Sequence, residues 1–203
     1  NTITLVTGAT GGIGRAICSA LKAAEATVIA TDLGPDGAGV ECDLYLPHDV
    51  TSEADWQRVG QEIEARYGRL DGLVNNAGGT RMGRLETIPT RGWDSIFDLN
   101  VKSAYVLTRE AGKHMIAQKS GAIVSVSSGA GINGVKGGAH YSAAKSALQM
   151  FTKVTAAEWG RHGIRANCVA AGAIASERVL EAWKVAGLDM AELSKATPLG
   201  RTG

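Results

Sequence analysis

Short β-branched runs alternate with long helical segments along this chain of 203 residues. The runs are apolar throughout rather than at every second position, which is the pattern of strands buried on both faces. The segments between them are long enough for three or more helical turns and contain no internal proline. The strand-like runs are 3–7, 27–30, 73–74, 122–126 and 164–169, and the helical segments are 13–23, 53–67, 93–117 and 140–159.

This order of elements predicts successive βαβ units. Right-handed crossovers between parallel strands place helices on both faces of one sheet. The expected fold is therefore α/β, a doubly wound parallel sheet of Rossmann type in a single domain spanning residues 1–203. The segment Gly34 to Gly39 is rich in turn residues and leaves little room for a helix before the third strand. Either the connection between the second and third strands is shorter than usual, or residues are missing from the sequence at this point.

The second helical segment has a recognisable start. Ser52 and Asp55 have the spacing of a capping box, in which each side chain bonds the other residue's backbone N–H. Trp56, Val59 and Ile63 then fall on one face of the helix that begins there. We therefore expect this face to pack on the sheet.

Composition excludes several classes of function. The net charge is +1 and bases are mixed with acids, which argues against a nucleic-acid or membrane-surface partner. Three cysteines without CxxC spacing and four histidines in separate segments favour free thiols and no metal site. No stretch approaches the roughly 20 apolar residues of a membrane span. The expectation is a soluble cytoplasmic protein.

A glycine-rich loop follows the first strand. Gly8, Gly12 and Gly14 lack Cβ atoms where the backbone would approach a pyrophosphate at a helix N-terminus. The pattern alone is weak, since ordinary βα turns also contain glycines. Asp32 ends the second strand, where a carboxylate can bind the adenosine ribose and would repel a 2′-phosphate. With glycine rather than a base at position 11, the loop favours NAD over NADP, although a strand-end acid can also be simply solvated.

Five motifs in one order link this loop to a known family. They are Thr7-Gly8-x-x-x-Gly12-x-Gly14, Asn75-Asn76-Ala77-Gly78, Asn100, Ser128 and Tyr141-x-x-x-Lys145. In this arrangement the chain resembles the classical branch of the short-chain dehydrogenase/reductase family over nearly its whole length. The residues that the loop and the resemblance together assign to the dinucleotide are Gly8, Thr10, Gly11, Gly12, Ile13, Gly14, Asp32, Leu33, Asp49, Val50, Asn76, Ala77, Gly78, Tyr141, Lys145, Gly172, Ile174 and Ser176.

The resemblance implies a catalytic set of four residues. Tyr141 would be the acid and base, and Ser128 would orient the substrate oxygen. Asn100 would hold a water in a proton relay. Lys145 lies four residues after Tyr141, so its ammonium can lower the pKa of the phenol, which is otherwise near 10, and can also bind the nicotinamide ribose. Taken singly, each residue has an ordinary structural explanation, and only the joint spacing indicates catalysis.

The expected reaction is hydride transfer between NAD(H) and a secondary alcohol or ketone. Apolar residues of the segment 176–196, namely Val179, Leu180, Trp183, Leu188 and Met190, and the loop 129–138 predict a fairly apolar substrate and a lid. The same residues would serve equally well in lid-to-core packing. The alternatives are a 3-oxoacyl thioester reductase and a non-catalytic dinucleotide-binding regulator. The resemblance further implies a homodimer or homotetramer, and suggests that the final helix and strand of the family are missing from this sequence.

Overall fold

A computed structural model describes residues 2–176, 179–181, 184, 194–195 and 197–203. Within these residues six parallel strands form one sheet in the order β3-β2-β1-β4-β5-β6. The strands are β1 Ile3–Thr7, β2 Thr27–Asp32, β3 Leu44–Pro47, β4 Gly72–Asn75, β5 Gly121–Ser128 and β6 Ile164–Ala171. The order reverses between β1 and β4, and the crevice outside the carboxyl ends of strands at such a point is where open α/β sheets bind ligands.

Helices cover both faces of the sheet. They are α1 Gly12–Ala23, α2 Glu53–Tyr67, α3 Thr90–Phe97, α4 Ser103–Gln118, α5 Ala130–Asn133 and α6 Ala139–Trp159. Alternate strand residues point to opposite faces, so Leu5 joins a core with α2 and α4 while Val6 joins a second core with α1. This confirms the predicted doubly wound fold. None of the described helices is long and apolar enough to cross a membrane.

The connection between β2 and β3 contains no helix, as its turn-rich sequence indicated. The Tyr45 hydroxyl instead donates to the Gly34 carbonyl oxygen at 2.7 Å. Arg15 of α1 donates to the carbonyl oxygen of Ala38 at 2.9 Å. These two bonds hold the short crossover against the rest of the domain. The residues of β3 itself were not identified from the sequence.

The predicted helix 93–117 is interrupted. It comprises α3, a π-helical turn at Asp98–Lys102 and α4. Within the turn the Asn100 side-chain amide donates to the carbonyl oxygen of Ile96 at 2.9 Å, four residues earlier. A side chain that enters the backbone ladder in this way accompanies the wider helical turn. The prediction of one continuous helix over 93–117 is therefore wrong, and the interruption lies at Asn100, a predicted catalytic residue.

The start of α2 agrees only in part with the capping box predicted from Ser52 and Asp55. The Ser52 hydroxyl accepts from the Asp55 N–H at 3.3 Å, as predicted for the cap. The Asp55 carboxylate does not return the bond to Ser52. It accepts from the N–H of Asp49 at 2.8 Å, because the Ser52 N–H already donates to the Asp49 carbonyl oxygen at 2.9 Å. The predicted face, formed by Trp56, Val59 and Ile63, is buried.

The α4 and α6 helices present a mixed surface. The Trp159 ring covers Gly112, where a Cβ atom would lie 2.3 Å from the ring. Met150 is 58% exposed and Tyr105 is 46% exposed. The two helices therefore combine a packed face with exposed apolar side chains.

His48 is buried beside the end of β3. Its Nδ1 lies 3.2 Å from the Thr31 hydroxyl, and its ring packs edge-on against Trp56. Burial lowers the pKa of His48 to about 4, against an opposing effect of Asp55. The unfolded chain, with an ordinary histidine pKa near 6.5, therefore binds the proton first as the pH falls.

We expect His48 to make the protein sensitive to acid. Its contribution to the free energy of unfolding should be constant above about pH 6.5 and fall by about 3 kcal/mol by pH 4. Urea unfolding of the wild type and His48→Gln between pH 4 and 7 measures this, and the variant should show a flatter dependence. His162→Gln, in the turn after α6, is the control. Equal slopes for wild type and His48→Gln would contradict the prediction.

Candidate active site

The predicted site residues meet at the carboxyl edge of the sheet. Parallel strands all end at this edge, so segments distant in sequence converge there. The glycine loop follows β1, the Asn75 motif ends β4, and Ser128 ends β5. Lys145 and Tyr141 approach from α6. The sheet topology thus unites the motifs that the sequence could only order along the chain.

The glycine loop is packed too tightly for side chains. A Cβ at Gly14 would lie 2.2 Å from the carbonyl oxygen of Gly8, and Gly8 has φ +64. Gly11 is the N-cap of α1 and has no capping side chain, and the first turn contains no acid. The amides of Gly12 and Ile13 therefore face an anion-accepting position. This cradle fits the pyrophosphate of a dinucleotide.

Asp32 is held by the same loop. Its Oδ2 accepts from the Thr10 N–H at 2.9 Å and from the Thr10 hydroxyl at 2.6 Å. Its Oδ1 accepts from the N–H of Leu33 at 2.8 Å. A carboxylate has about four acceptor positions, so one remains for a ribose hydroxyl. The Leu33 side chain is 72% exposed, so its link to the site runs through its backbone.

The turn after β3 lies next to Asp32, because the His48 N–H donates to the Asp32 carbonyl oxygen at 2.7 Å. The Asp49 carboxylate is occupied by the N–H and hydroxyl of Thr51. Val50 is buried against Trp56. Asp49 and Val50, both assigned to the dinucleotide, thus follow the residue that bonds Asp32, and their side chains are engaged in the local fold.

The Asn76 motif ties β4 to the glycine loop. Its Nδ2 donates to the carbonyl oxygens of Thr7 and Gly8, both at 2.9 Å. The Cα of Ala77 would lie 2.8 Å from a Cβ on Gly8. Asn76 and Ala77 therefore shape the loop from the side.

The segment after β6 crosses the glycine loop. Ser176 covers Gly12 so closely that a Cβ on Gly12 would lie 2.5 Å from the Ser176 Cβ. Gly172 and Ile174 belong to the same segment. The Leu180 N–H donates to the Ser176 carbonyl oxygen at 2.8 Å, within the segment predicted to form a lid. The predicted lid residues Trp183, Leu188 and Met190 lie outside the described residues.

Asn100 organises the floor of the site. Its amide donates to the Gly79 carbonyl oxygen at 2.9 Å, and its Oδ1 accepts from the Gly79 N–H at 3.3 Å. A Cβ on Gly78 would lie 2.8 Å from the Asn100 Oδ1 and 3.2 Å from the Lys145 Nζ. Gly78 therefore fills the narrow space between these two polar groups.

Lys145 is a buried cation, only 4% exposed. Its Nζ donates to the Val126 carbonyl oxygen at 2.9 Å and lies 5.8 Å from the centre of the Tyr141 ring. Burial lowers the pKa of Lys145 to about 8, with Cys168 acting in the opposite direction. An ammonium held in a dry setting acts strongly on neighbouring charge.

The pKa of Tyr141 differs from the sequence expectation. Burial raises it, and the hydrogen bond from Ser128 opposes that rise. Lys145 is not among the groups that shift this pKa, so the lowering by Lys145 that the sequence predicts stays a prediction. Ser128 is the side chain that acts on the phenol, from the end of β5.

We expect Gly78→Ala to reduce turnover by about tenfold to a hundredfold, because the new methyl group displaces Asn100 or Lys145. Steady-state kinetics and thermal unfolding measure the effect. Gly79→Ala is the matched control, since a Cβ there meets only the Leu99 Cδ2 at 3.4 Å. Equal kinetics in the two variants would refute the argument.

Sequence reasoning missed two polar residues behind the site. Ser127 and Gln149 hydrogen-bond to each other at 3.0 Å. The position of Gln149, one helical turn after Lys145, was the available signal, because residues four apart share a helix face. Ser127 gave no such signal, since a serine next to the predicted catalytic serine is unremarkable.

Comparisons with known proteins agree with this geometry. The family model described as short chain dehydrogenase matches residues 2–184. The chain is 37% identical to 3-oxoacyl-[acyl-carrier-protein] reductase from Escherichia coli, over 99% of this chain and 84% of the relative. It is 31% identical to an NAD-dependent glycerol dehydrogenase from Listeria innocua, over 99% of this chain and 81% of the relative.

A solved structure, ElxO with NADP bound, superimposes with a TM-score of 0.92 at 28% identity, covering 100% of this chain and 86% of that one. The family match, the relatives and the solved structure thus agree with the glycine loop and with the position of Asn100, Ser128, Tyr141 and Lys145 at the carboxyl edge of the sheet. The chain belongs to the short-chain dehydrogenase family of oxidoreductases, which bind a nicotinamide dinucleotide and act on small molecules.

Proposed function

We propose that this protein interconverts a secondary alcohol and a ketone with NAD(H). The observation that carries the proposal is the buried ammonium of Lys145, whose Nζ lies 5.8 Å from the centre of the Tyr141 ring at the edge of the sheet where Ser128 ends β5. A phenol that can lose its proton, a hydroxyl that can bind an oxygen and a nearby fixed cation suit proton transfer at a carbinol oxygen.

The proposed roles follow from the chemistry of these groups. When bound, nicotinamide dinucleotide supplies the hydride acceptor or donor and, in its oxidised form, a positive charge. In alcohol oxidation the Tyr141 phenolate takes the hydroxyl proton, and in ketone reduction the phenol returns it. Ser128 donates a hydrogen bond to the substrate oxygen. Lys145 stabilises the phenolate and binds the nicotinamide ribose, while Asn100 supports the proton relay.

NAD is the proposed cofactor rather than NADP. The Asp32 carboxylate retains an acceptor position and carries a negative charge that disfavours a 2′-phosphate. Gly11 provides no compensating cation. The amides of Gly12, Ile13 and Gly14 would hold the pyrophosphate. An NAD-dependent relative supports this choice, whereas a structural neighbour that holds NADP argues for testing it.

Reduction of a 3-oxoacyl thioester is the second candidate. It is favoured by the 37% identity to a 3-oxoacyl-[acyl-carrier-protein] reductase. Its Tyr141 chemistry would be the same, and only the substrate would differ. For the first candidate we propose a fairly apolar substrate, because the segment after Ser176 contains the apolar residues Val179 and Leu180.

The test combines cofactor binding with turnover. NADH and NADPH are titrated by fluorescence, and then cyclic and acyclic alcohols, ketones and 3-oxoacyl thioesters are assayed by absorbance of reduced nicotinamide. We expect tighter binding of NADH and turnover of apolar alcohols or ketones. Preference for NADPH would overturn the cofactor proposal, and selective thioester reduction would favour the second candidate. Binding without turnover of any substrate would favour a regulatory dinucleotide-binding protein.

We also propose a cytoplasmic homodimer or homotetramer that contacts through α4 and α6. Exposed Tyr105, Met150 and Val154 on these helices support such a contact. Light scattering coupled to size exclusion gives the oligomeric state. A monomer at micromolar concentration would contradict the proposal.

A further inference from the structure

Gln149 bridges the two elements that carry the catalytic side chains. It lies on α6, one turn after Lys145, and faces the end of β5. Its Nε2 donates to the Ser127 hydroxyl at 3.0 Å and to the Ser128 carbonyl oxygen at 3.2 Å. A single side-chain amide on the helix that carries Tyr141 therefore contacts the backbone of Ser128.

Ser127 completes the connection from the other side. Its hydroxyl is 3% exposed, accepts from Gln149 and donates to the Lys145 carbonyl oxygen at 2.9 Å. The Lys145 backbone is thereby tied to β5 independently of the bond from its ammonium to the Val126 carbonyl oxygen. The three bonds around Gln149 and Ser127 join β5 to α6 directly beneath the reacting groups.

The space around Gln149 leaves its amide little freedom. A Cβ on Gly131, in α5, would lie 2.8 Å from the Gln149 Nε2. The amide is therefore confined between α5 and the end of β5. A side chain confined in this way can define the position of the groups that it contacts.

We propose that Gln149 is a positioning residue that sets the distance between Ser128 and Tyr141 and thereby the catalytic rate. It touches neither substrate nor cofactor. The inference rests on the proposed acid and base role of Tyr141. Without the Gln149 amide, the strand end that carries Ser128 loses two of the bonds that join it to α6, and Ser128 shifts relative to Tyr141. An error of about 1 Å in such a geometry can cost up to a hundredfold in rate.

The same displacement changes proton affinity. The bond from Ser128 is the influence that opposes the raised pKa of Tyr141, so weakening it raises that pKa further. The other titratable groups that bear on this corner are Lys145 on α6 and Cys168 on β6. Gln149 bonds neither of them directly, and its connection to both runs through Ser127, which bonds the Lys145 carbonyl oxygen and acts on Cys168.

The test is Gln149→Met, which keeps the length of the side chain and removes both donors. We expect kcat to fall about tenfold, the KM for dinucleotide to stay within about twofold, and the pH midpoint of kcat to rise. Gln118→Met is the matched control, because Gln118 also makes two hydrogen bonds, both to the Leu70 backbone at 3.2 Å, far from Tyr141. Gln118→Met should lower thermal stability and leave kcat unchanged. If Gln149→Met also lowers thermal stability without changing kcat, the proposal is overturned.

A second readout separates this inference from the proposed reaction. The pKa of Tyr141 is measured without substrate, as the tyrosinate absorbance of each protein minus that of its Tyr141→Phe derivative. It should be higher in Gln149→Met than in the wild type even if no substrate is turned over. An unchanged pKa would overturn the role of Gln149. Ser127→Ala, which removes the other half of the bridge, should shift the pKa in the same direction and serves if Gln149→Met does not fold.

Discussion

Tyr141→Phe is expected to lower kcat by about 10³-fold while dinucleotide affinity stays within a few-fold of wild type. The substitution removes only the hydroxyl that would exchange the proton, and general acid and base catalysis typically contributes 10² to 10⁴ in rate. The phenyl ring keeps the packing of a side chain that is only partly exposed. Single-turnover absorbance of reduced nicotinamide and a separate binding titration measure the two effects.

The control is Tyr105→Phe. Tyr105 lies on α4, is 46% exposed and packs edge-on against Phe151. Loss of the Tyr105 hydroxyl should leave kcat unchanged. If Tyr141→Phe retained more than about a tenth of wild-type turnover, the proton-transfer role would have to be given to another group.

Asp32→Ser is expected to lower the ratio of kcat/KM with NAD to kcat/KM with NADP by about a hundredfold. The serine removes charged hydrogen bonds, each worth about 1.5–3 kcal/mol, and also the repulsion of a 2′-phosphate. Part of the loss with NAD would come from the glycine loop, because Asp32 accepts two bonds from Thr10. The ratio is measured with one substrate at one ionic strength.

Asp36→Ser separates the local effect from the loss of one negative charge. Asp36 is an exposed acid of the same crossover and accepts only from the Ala38 N–H, at 3.1 Å. It should leave the cofactor ratio nearly unchanged. An unchanged ratio in Asp32→Ser as well would show that selectivity resides elsewhere and would remove the main support for NAD.

The fold was predictable because its signals are local. Continuous apolar runs mark strands covered on both faces, and the helices between them follow from length and the absence of proline. The less accurate predictions fell where a side chain bonds a backbone group that the local pattern does not indicate. The π turn contains Asn100, whose amide bonds Ile96 and also Gly79, 21 residues away. The cap at Asp55 is altered by a bond from Asp49.

The location of the predicted site residues was easier to predict than their electrostatics. Asn100, Ser128, Tyr141 and Lys145 lie at the carboxyl edge of the sheet, and their catalytic roles stay predictions. The pKa of Tyr141 could not be predicted, because it depends on how far the phenol is buried, and burial is a property of the assembled domain. The same holds for the low pKa of Lys145.

The sequence by itself determined the alternation of strands and helices along the chain, the glycine loop and the spacing of the family motifs. Each of these is encoded in neighbouring residues or in fixed separations along the chain. The tertiary structure alone decided that Gly78 separates Asn100 from Lys145 and that Gln149 joins Ser127 to Ser128. Such contacts arise where strands and helices distant in sequence meet at one edge of a sheet, and no local pattern records the distances between them.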